Sequence, residues 1–224
     1  MKKSVKDNKN PYEKKAVCLI STGIDSPVAA YMALRSGIAP VFLHFLHAHN
    51  IDENQIDRIV RVVQKIKTVA PENSFLIYVA PHKEILLDIT TKCPRKLTCI
   101  ICRRMMFRIA SEIAQKESAT WVVTGEILAT HASQTLDNIY VEDQVTSNTP
   151  ILRPLIGLNK LDVEKIARKI GTYEIAAEPS STCPAVPHSP RTSATLSEII
   201  EAEALLDIQK TVGHVLAQIR KIHF

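Results

Sequence analysis

Five short apolar runs punctuate the first two thirds of the chain, and their spacing restricts the fold more than any other feature. They are Ala16 to Ile20 (AVCLI), Pro40 to Phe45 (PVFLHF), Ser74 to Ala80 (SFLIYVA), Thr120 to Thr124 (TWVVT) and Ile151 to Leu155 (ILRPL). Each has the length and composition of a strand buried on both faces. Helical stretches lie between them, at Asp25 to Ser36, Asp52 to Val69 and Cys99 to Lys116, with another at Asp162 to Ile170. Gly37 and Gly171 stand where helices commonly stop. In the second stretch Ile56, Ile59, Val60, Val63 and Ile66 recur at helical spacing, so one stripe must cover a sheet. Strands alternating with helices in this rhythm predict an α/β fold, a doubly wound parallel five-stranded sheet with ligands at the carboxyl ends of its strands.

The 224 residues suffice for one sizeable domain, placed at residues 16–192. Met1 to Lys15, rich in Lys, Asn and Asp, reads as a disordered basic arm. It lacks the apolar core of a secretory signal, and no apolar run is long enough to cross a bilayer, so a cytoplasmic location is expected. Glu178 to Thr192 holds four prolines and reads as an exposed irregular loop. Ser193 to Phe224 reads as a C-terminal helical extension, with Leu196, Ile199, Ile200 and Ala204 along one side. That side packs on the domain's own surface or forms a homodimer contact. The net charge of +5 admits a nucleotide or an RNA partner without deciding between them.

Directly between the first strand and the first helix stands Ser21-Thr22-Gly23-Ile24-Asp25-Ser26. Backbone NH groups at a helix start are unsatisfied and can hold an anion. Gly23 allows close approach of phosphates, Ser21 and Ser26 add hydroxyls, and Asp25 is placed to orient Mg2+. GxxxxGK[ST] and GxGxxG are both missing, which disfavours a Walker-type NTPase and an ordinary dinucleotide fold. The same residues would also serve as a plain helix cap.

The segment CLISTGIDSPVAAYMALRSG resembles the PP-loop segment of the 4-thiouridine synthetase (tRNA sulfurtransferase) family. CIICRRMMFRIASEIAQKE, VTGEILATHASQTLDNI, ILRPLIGLNKLDVEKIARKIGTYEI and CPAVPHSPRT resemble later family segments in the same order. The resemblance runs from about Ala16 to Thr192 and implies a PP-loop ATP pyrophosphatase, HUP-like in fold. It implies ATP contacts from Leu19, Ile20, Ser21, Gly23, Asp25 and Ser26, then from His44, Phe45, Arg103, Gly125 and Gln134. Gly125 would let a nucleotide rest on bare backbone, and Arg103 would pair with phosphate. Thr22 departs from the family pattern, which has a second glycine there. A β-branched residue disfavours positive φ, so the loop uses ordinary backbone geometry or grips phosphate differently.

Five cysteines without a secretory signal read as thiols, redox groups or metal ligands. Cys99 and Cys102 form C-x-x-C at a helix start, which favours thiolate. By resemblance, Cys99, Cys102 and Cys183 hold an iron–sulfur cluster, or Cys183 handles a persulfide; zinc is the alternative metal. Cys93 is a further ligand or a spare thiol, and Cys18 is a small core residue. The implied activity uses ATP and Mg2+ to adenylate a uridine carbonyl of tRNA, with Asp25 and Cys183 as the catalytic pair, and replaces oxygen by sulfur. Family members carry an RNA-binding THUMP region, and some a rhodanese-like extension; the chain reads as a stand-alone form without either, so a separate THUMP or sulfur-carrier protein is an expected partner. Lys92, Arg95, Lys96, Arg103, Arg104 and Arg108 are placed to contact RNA phosphates beside the site, or else form a solvated helix face. An amidating PP-loop enzyme and a non-catalytic nucleotide-binding regulator remain the alternatives, the latter hinted at by Thr22.

Overall fold

The computed structural model describes residues 14–46, 53–68, 70, 74–146, 148–179 and 183–223. Along the chain run β1 (Lys14–Leu19), α1 (Asp25–Arg35), β2 (Ile38–Leu46), α2 (Glu53–Lys67), β3 (Leu76–Pro81), α3 (Lys83–Lys92) and α4 (Thr98–Lys116). Then come β4 (Trp121–Val123), α5 (Leu136–Asp143), β5 (Ile151–Leu152), α6 (Lys160–Lys169), α7 (Tyr173–Ala176), α8 (Leu196–Glu203), α9 (Ile208–Gln218) and β6 (Arg220–His223).

The strands form one sheet in the order β5-β4-β1-β2-β3-β6. The first five are parallel, as the alternation of strand and helix requires, and the order reverses beside β1. Two apolar layers sandwich the sheet. One face buries Cys18, Phe42 and Ile77 with α1, α2 and α6; the other buries Val17, Leu43 and Tyr78 with α3, α4 and α9. The apolar stripe of α2 is buried at Ile56, Ile59, Val62, Val63 and Ile66, while Val60 is only partly covered.

Three expectations need correction. The sheet has six strands, because the chain's end turns back and pairs antiparallel with β3, Ile77 opposite Ile222. An unpaired β3 edge would expose a row of backbone donors and acceptors, and β6 covers it. The C-terminal segment is therefore two helices and a strand, and in α8 the buried side is Ile199, Ala202 and Glu203, with Ile200 at 54% exposure. Lys14 and Lys15 belong to β1, pairing with Ile38 and Ala39, so the expected basic arm is shorter than Met1 to Lys15; residues 1–13 lie outside the described residues.

Local chemistry fixes the helix ends. Thr135, Asn159, Thr195 and Asp207 each accept a hydrogen bond from a backbone NH two or three residues inside the helix that follows. Gly37 and Gly171 take φ of +79° and +72°, as expected for residues just past a helix.

Candidate functional site

The turn after β1 is built differently from those capped helix starts. Ile24 occupies the position before α1 and supplies no side-chain cap. The two serines of the motif bond each other instead: their Oγ atoms lie 2.8 Å apart, and the Ser26 hydroxyl accepts from the Ser21 NH at 2.8 Å. The Ser21 hydroxyl also accepts from the Gly23 NH at 3.2 Å. The simple-cap alternative therefore does not describe this segment. Neither Thr22 nor Gly23 takes a positive φ, so the loop tolerates a β-branched residue through ordinary backbone geometry.

A cavity of about 750 Å³ opens above the turn, within the range of small-molecule sites. Leu19, Ile20, Ser21, Gly23, Asp25 and Ser26 form its floor. His44 and Phe45 line the side supplied by β2, and Arg103, Gly125, Gln134 and Cys183 line the rest. All of the expected nucleotide-contacting residues thus face one space. Cys99 and Cys102 do not line it.

Several of these side chains are held by neighbours. His44 Nδ1 lies 2.9 Å from the Ile20 carbonyl, tying β2 to the turn. The Phe45 ring stands edge-on to His82 at 5.1 Å between centroids. Gly125 has a tighter role than nucleotide approach alone would give it. A Cβ there would sit 2.6 Å from the Ser26 nitrogen and 2.7 Å from the Asp25 carbonyl carbon, so the loop's own backbone occupies the space.

Arg103, which the resemblance pairs with phosphate, is held between two carboxylates. Its Nη2 lies 2.7 Å from Glu126 Oε1, its Nε donates to Glu142 Oε2 at 2.9 Å, and its guanidinium stacks over Phe107. Glu126 also accepts from Arg153 at 2.6 Å and from Thr124 at 2.7 Å. Burial works against the Glu126 charge, but Arg103 and Arg153 outweigh it and hold this carboxyl below the usual range. Glu142 goes the other way. Burial and the nearby Glu126 charge push it up to about 8, because Arg103 answers only one of its oxygens and the other has no hydrogen-bond partner among the described residues.

The structure adds a residue that sequence reasoning missed. Lys160, the first residue of α6, places its Nζ 2.5 Å from Asp25 Oδ1, across 135 residues of chain. A cation at a helix start opposes the helix dipole, and that local misfit was the available signal.

The expected basic cluster is largely spent on protein partners. Glu203 accepts paired hydrogen bonds from both Arg104 and Arg108, at 2.6 to 2.9 Å. Lys92 pairs with Asp88 at 2.9 Å and Lys96 approaches Glu198 at 4.0 Å. Buried or paired guanidiniums of this kind serve α4–α8 packing, so Arg104 and Arg108 are corrected from RNA contacts to structural ion pairs.

Cys99, Cys102 and Cys183 are free thiols, each partly buried by its surroundings. Burial raises the Cys99 and Cys102 thiols, and the nearby Cys183 adds to the rise at both, so the helix start does not favour thiolate at these positions as expected. His82 Nε2 lies 3.0 Å from Cys102 Sγ. Among the described residues no three His, Cys, Asp or Glu side chains form a ready metal cage. The donor set, three thiols drawn from a helix start and a distant loop, is nevertheless of the type that binds iron–sulfur clusters. Cys93 donates to the Ala202 carbonyl at 3.4 Å and packs in the core, which makes it a structural thiol. Cys18 is wholly buried, as expected, and its thiol is pushed up to about 12 by burial.

Comparison with known proteins extends this geometry. A probable tRNA sulfurtransferase of Caldanaerobacter subterraneus subsp. tengcongensis is 36% identical over 210 residues, covering 93% of this chain and 54% of the relative. One from Methanocaldococcus jannaschii is 40% identical over 189 residues, covering 83% of this chain and 48% of the relative. The chain spans about half the length of the curated relatives it matches. A crystal structure of a 4-thiouridine synthetase–RNA complex with bound ATP superposes with a TM-score of 0.89 at 29% identity, covering 94% of this chain and 55% of that one. NMN synthetase from Francisella tularensis, at 13% identity and a TM-score of 0.53, shares the fold. The family model described as "Thiamine biosynthesis protein (ThiI)" matches residues 12–208, and this chain belongs to the ThiI family.

Proposed function

We propose that the chain is the catalytic unit of an ATP-dependent tRNA sulfurtransferase, which adenylates a uridine carbonyl and exchanges its oxygen for sulfur to give 4-thiouridine. The observation that carries the reading is the helix start at Asp25, left without a side-chain cap, opening into a cavity that Cys183 also reaches. The ATP-bound relative supports the same assignment, and tRNA is its substrate class by the relatives' names.

In this reading ATP lies with its adenosine along Leu19, Ile20, His44 and Phe45, near Gly125 and Gln134. Its phosphates face the backbone of Ser21, Gly23 and Ser26. The uridine carbonyl oxygen attacks the α-phosphorus, and pyrophosphate leaves. The uncapped NH groups at the start of α1, rather than the Ser21 and Gly23 NH groups that serine hydroxyls already occupy, receive the charge that develops on pyrophosphate, since preorganised donors act most strongly where charge grows. Arg103, fixed by Glu126 and Glu142, adds a cation in a single orientation. Asp25 would orient Mg2+ on the phosphates, with Lys160 holding the carboxylate in place. Sulfur then attacks the activated ring carbon, AMP departs, and Cys183 handles the incoming sulfur. Cys99, Cys102 and Cys183 would hold an iron–sulfur cluster, whose chemistry is to carry a sulfide at an open iron. Residues 16–192 form the catalytic unit, with the C-terminal segment completing its sheet. A cytoplasmic location and a separate RNA-binding or sulfur-carrier partner fit this chemistry.

The test is anaerobic reconstitution with iron, sulfide, ATP and tRNA. Formation of AMP, pyrophosphate and a thiolated nucleoside is expected; pyrophosphate released with ammonia but without thiolation would redirect the reading to an amidating enzyme. Replacing Lys160 by Ala should slow pyrophosphate release about 10- to 100-fold, the range seen when a positioning contact to a reacting centre is lost. Thermal stability should hardly change, because the Lys160 side chain is 44% exposed. Equal rates for both proteins would remove Lys160 from the site.

A further inference from the structure

Cys183 sits in a proline-rich stretch with little regular structure, yet the chain on both sides of it is fastened down. Upstream, the Arg58 guanidinium on α2 donates to the carbonyls of Ile175, Pro179 and Glu178 at 2.8, 3.1 and 3.3 Å. The Glu178 carboxylate in turn accepts two hydrogen bonds from Arg61, at 2.7 and 2.6 Å. Downstream the grip comes from α5 and is tighter. Asn138 is wholly buried; its amide nitrogen donates to the Arg191 carbonyl at 2.9 Å and to the Ala132 carbonyl at 2.7 Å, and its amide oxygen accepts from the Ala194 NH at 2.9 Å. Flanking it, the Thr135 hydroxyl donates to the Thr192 carbonyl at 2.7 Å and the Ser193 hydroxyl to Asp137 at 2.7 Å. The Arg191 NH also donates to the Lys96 carbonyl at 2.9 Å, three residues ahead of Cys99.

A primary amide offers two donors and an acceptor, and Asn138 uses all of them on backbone. Those bonds join two pieces of chain with different tasks. Ala132 belongs to the segment that carries Gln134 into the cavity, whereas Arg191 to Ala194 end the segment that carries Cys183. Truncating the amide would leave two carbonyls and an NH without their partner, the Ala194 NH in a buried setting. The stretch holding Cys183 would keep its upstream ties to Arg58 and Arg61 and, downstream, those of Thr135, Ser193 and the Lys96 carbonyl.

We propose that Asn138 is a positioning residue that fixes where Cys183 stands relative to Cys99 and Cys102, with the Arg58–Glu178 grip as its upstream counterpart. The placement is a geometric claim; its consequence for sulfur delivery rests on the sulfurtransferase reading. A thiol on a tethered segment meets its partners at an effective concentration set by the tether, so loosening either end lowers the encounter rate.

Two measurements on the full chain separate the claims. In the first, metal-free protein is treated anaerobically with diamide, whose N=N bond takes two electrons and two protons from a thiol pair as the S–S bond forms. Peptide mass spectrometry then follows the bond between Cys183 and Cys99 or Cys102. Asn138→Ala and Glu178→Ala should each slow its formation at least about fivefold, as expected for a lost tether. In the second, the reconstituted protein is scored for thionucleoside formed per pyrophosphate released. Asn138→Ala should lower this ratio at least about fivefold; a general loss of folded protein lowers both products together and leaves the ratio intact. Should Asn138→Ala not fold, the surface variant Glu178→Ala carries the diamide test alone. Disulfide formation as fast in the folded variants as in the parent, or faster, overturns the positioning role. Slowed disulfide formation with no thionucleoside from the parent protein upholds the placement and overturns the sulfurtransferase reading instead.

Discussion

Replacing Gly125 by Ala should abolish measurable ATP binding and lower stability by about 3 kcal/mol or more, at the upper end of the range for overpacked cores. The added Cβ would stand 2.6 Å from the Ser26 nitrogen and 2.7 Å from the Asp25 carbonyl carbon and the Ser26 Cα. All three atoms are backbone, so no rotamer change can make room. Either β4 withdraws from β1, to which it is paired through Val122 and Val123, or the start of α1 moves. Both outcomes displace the NH groups that face the cavity, and a displacement near 1 Å costs on the order of a hundredfold where geometry carries the chemistry. Nucleotide titration by calorimetry together with thermal melting checks this. Tight ATP binding by a stable Gly125→Ala protein would mean that the loop does not need this close approach.

The second large effect is expected at Glu203, far from the cavity. Its carboxylate is 5% exposed and receives four hydrogen bonds from Arg104 and Arg108, while Arg104 also donates to the Val141 carbonyl at 2.5 Å. Glu203→Gln keeps the shape but leaves two guanidiniums uncompensated, a change worth about 3–5 kcal/mol in buried pairs. For a chain of this size that corresponds to a fall in Tm of roughly 6–20 °C. The pH dependence follows from the sign of the shift. Burial pushes the Glu203 carboxyl up, but the hydrogen bonds from Arg108 and Arg104 outweigh it and hold it below the usual range. The unfolded chain therefore binds this proton more readily, and the ion pair's stabilisation is complete above the ordinary carboxylate range. As pH falls below about 4 the native carboxyl is protonated in turn and the stabilisation is lost, so the Tm gap between parent and variant should close. A gap that is constant from neutral to acid pH would show that Glu203 contributes packing rather than charge.

Much of the α/β core was legible because its signals are local. The runs at Val17, Phe42 and Ile77 are short, apolar and separated by helical periodicity, and each became a parallel strand. The phosphate loop was visible for the same reason, since strand, turn and helix start are contiguous. α3 and α5 were missed: Lys83–Lys92 and Leu136–Asp143 bury three residues each, too few for a clear stripe. β6 was missed because Arg220–His223 is mostly polar and exposed, and becomes a strand only when β3 presents an edge. The basic cluster misled for a related reason. A run of arginines on α4 looks available in sequence, but Glu203 lies 95 and 99 residues away from Arg108 and Arg104 and takes both.

The sequence by itself determined the alternation of strand and helix, the Ser-Gly-Asp-Ser turn at the end of the first strand, and the three cysteines whose type suits sulfur chemistry. Tertiary structure decided which charges are spent and which remain for a ligand. It joined Lys160 to Asp25, enclosed Arg103 between Glu126 and Glu142, and tied the end of the Cys183 segment, at Arg191, to Lys96 ahead of Cys99. The physical reason is range. Periodicity and turn chemistry act over a few residues and can be read in order along the chain, whereas an ion pair or a shared thiol site depends on which distant segments the packed sheet sets side by side.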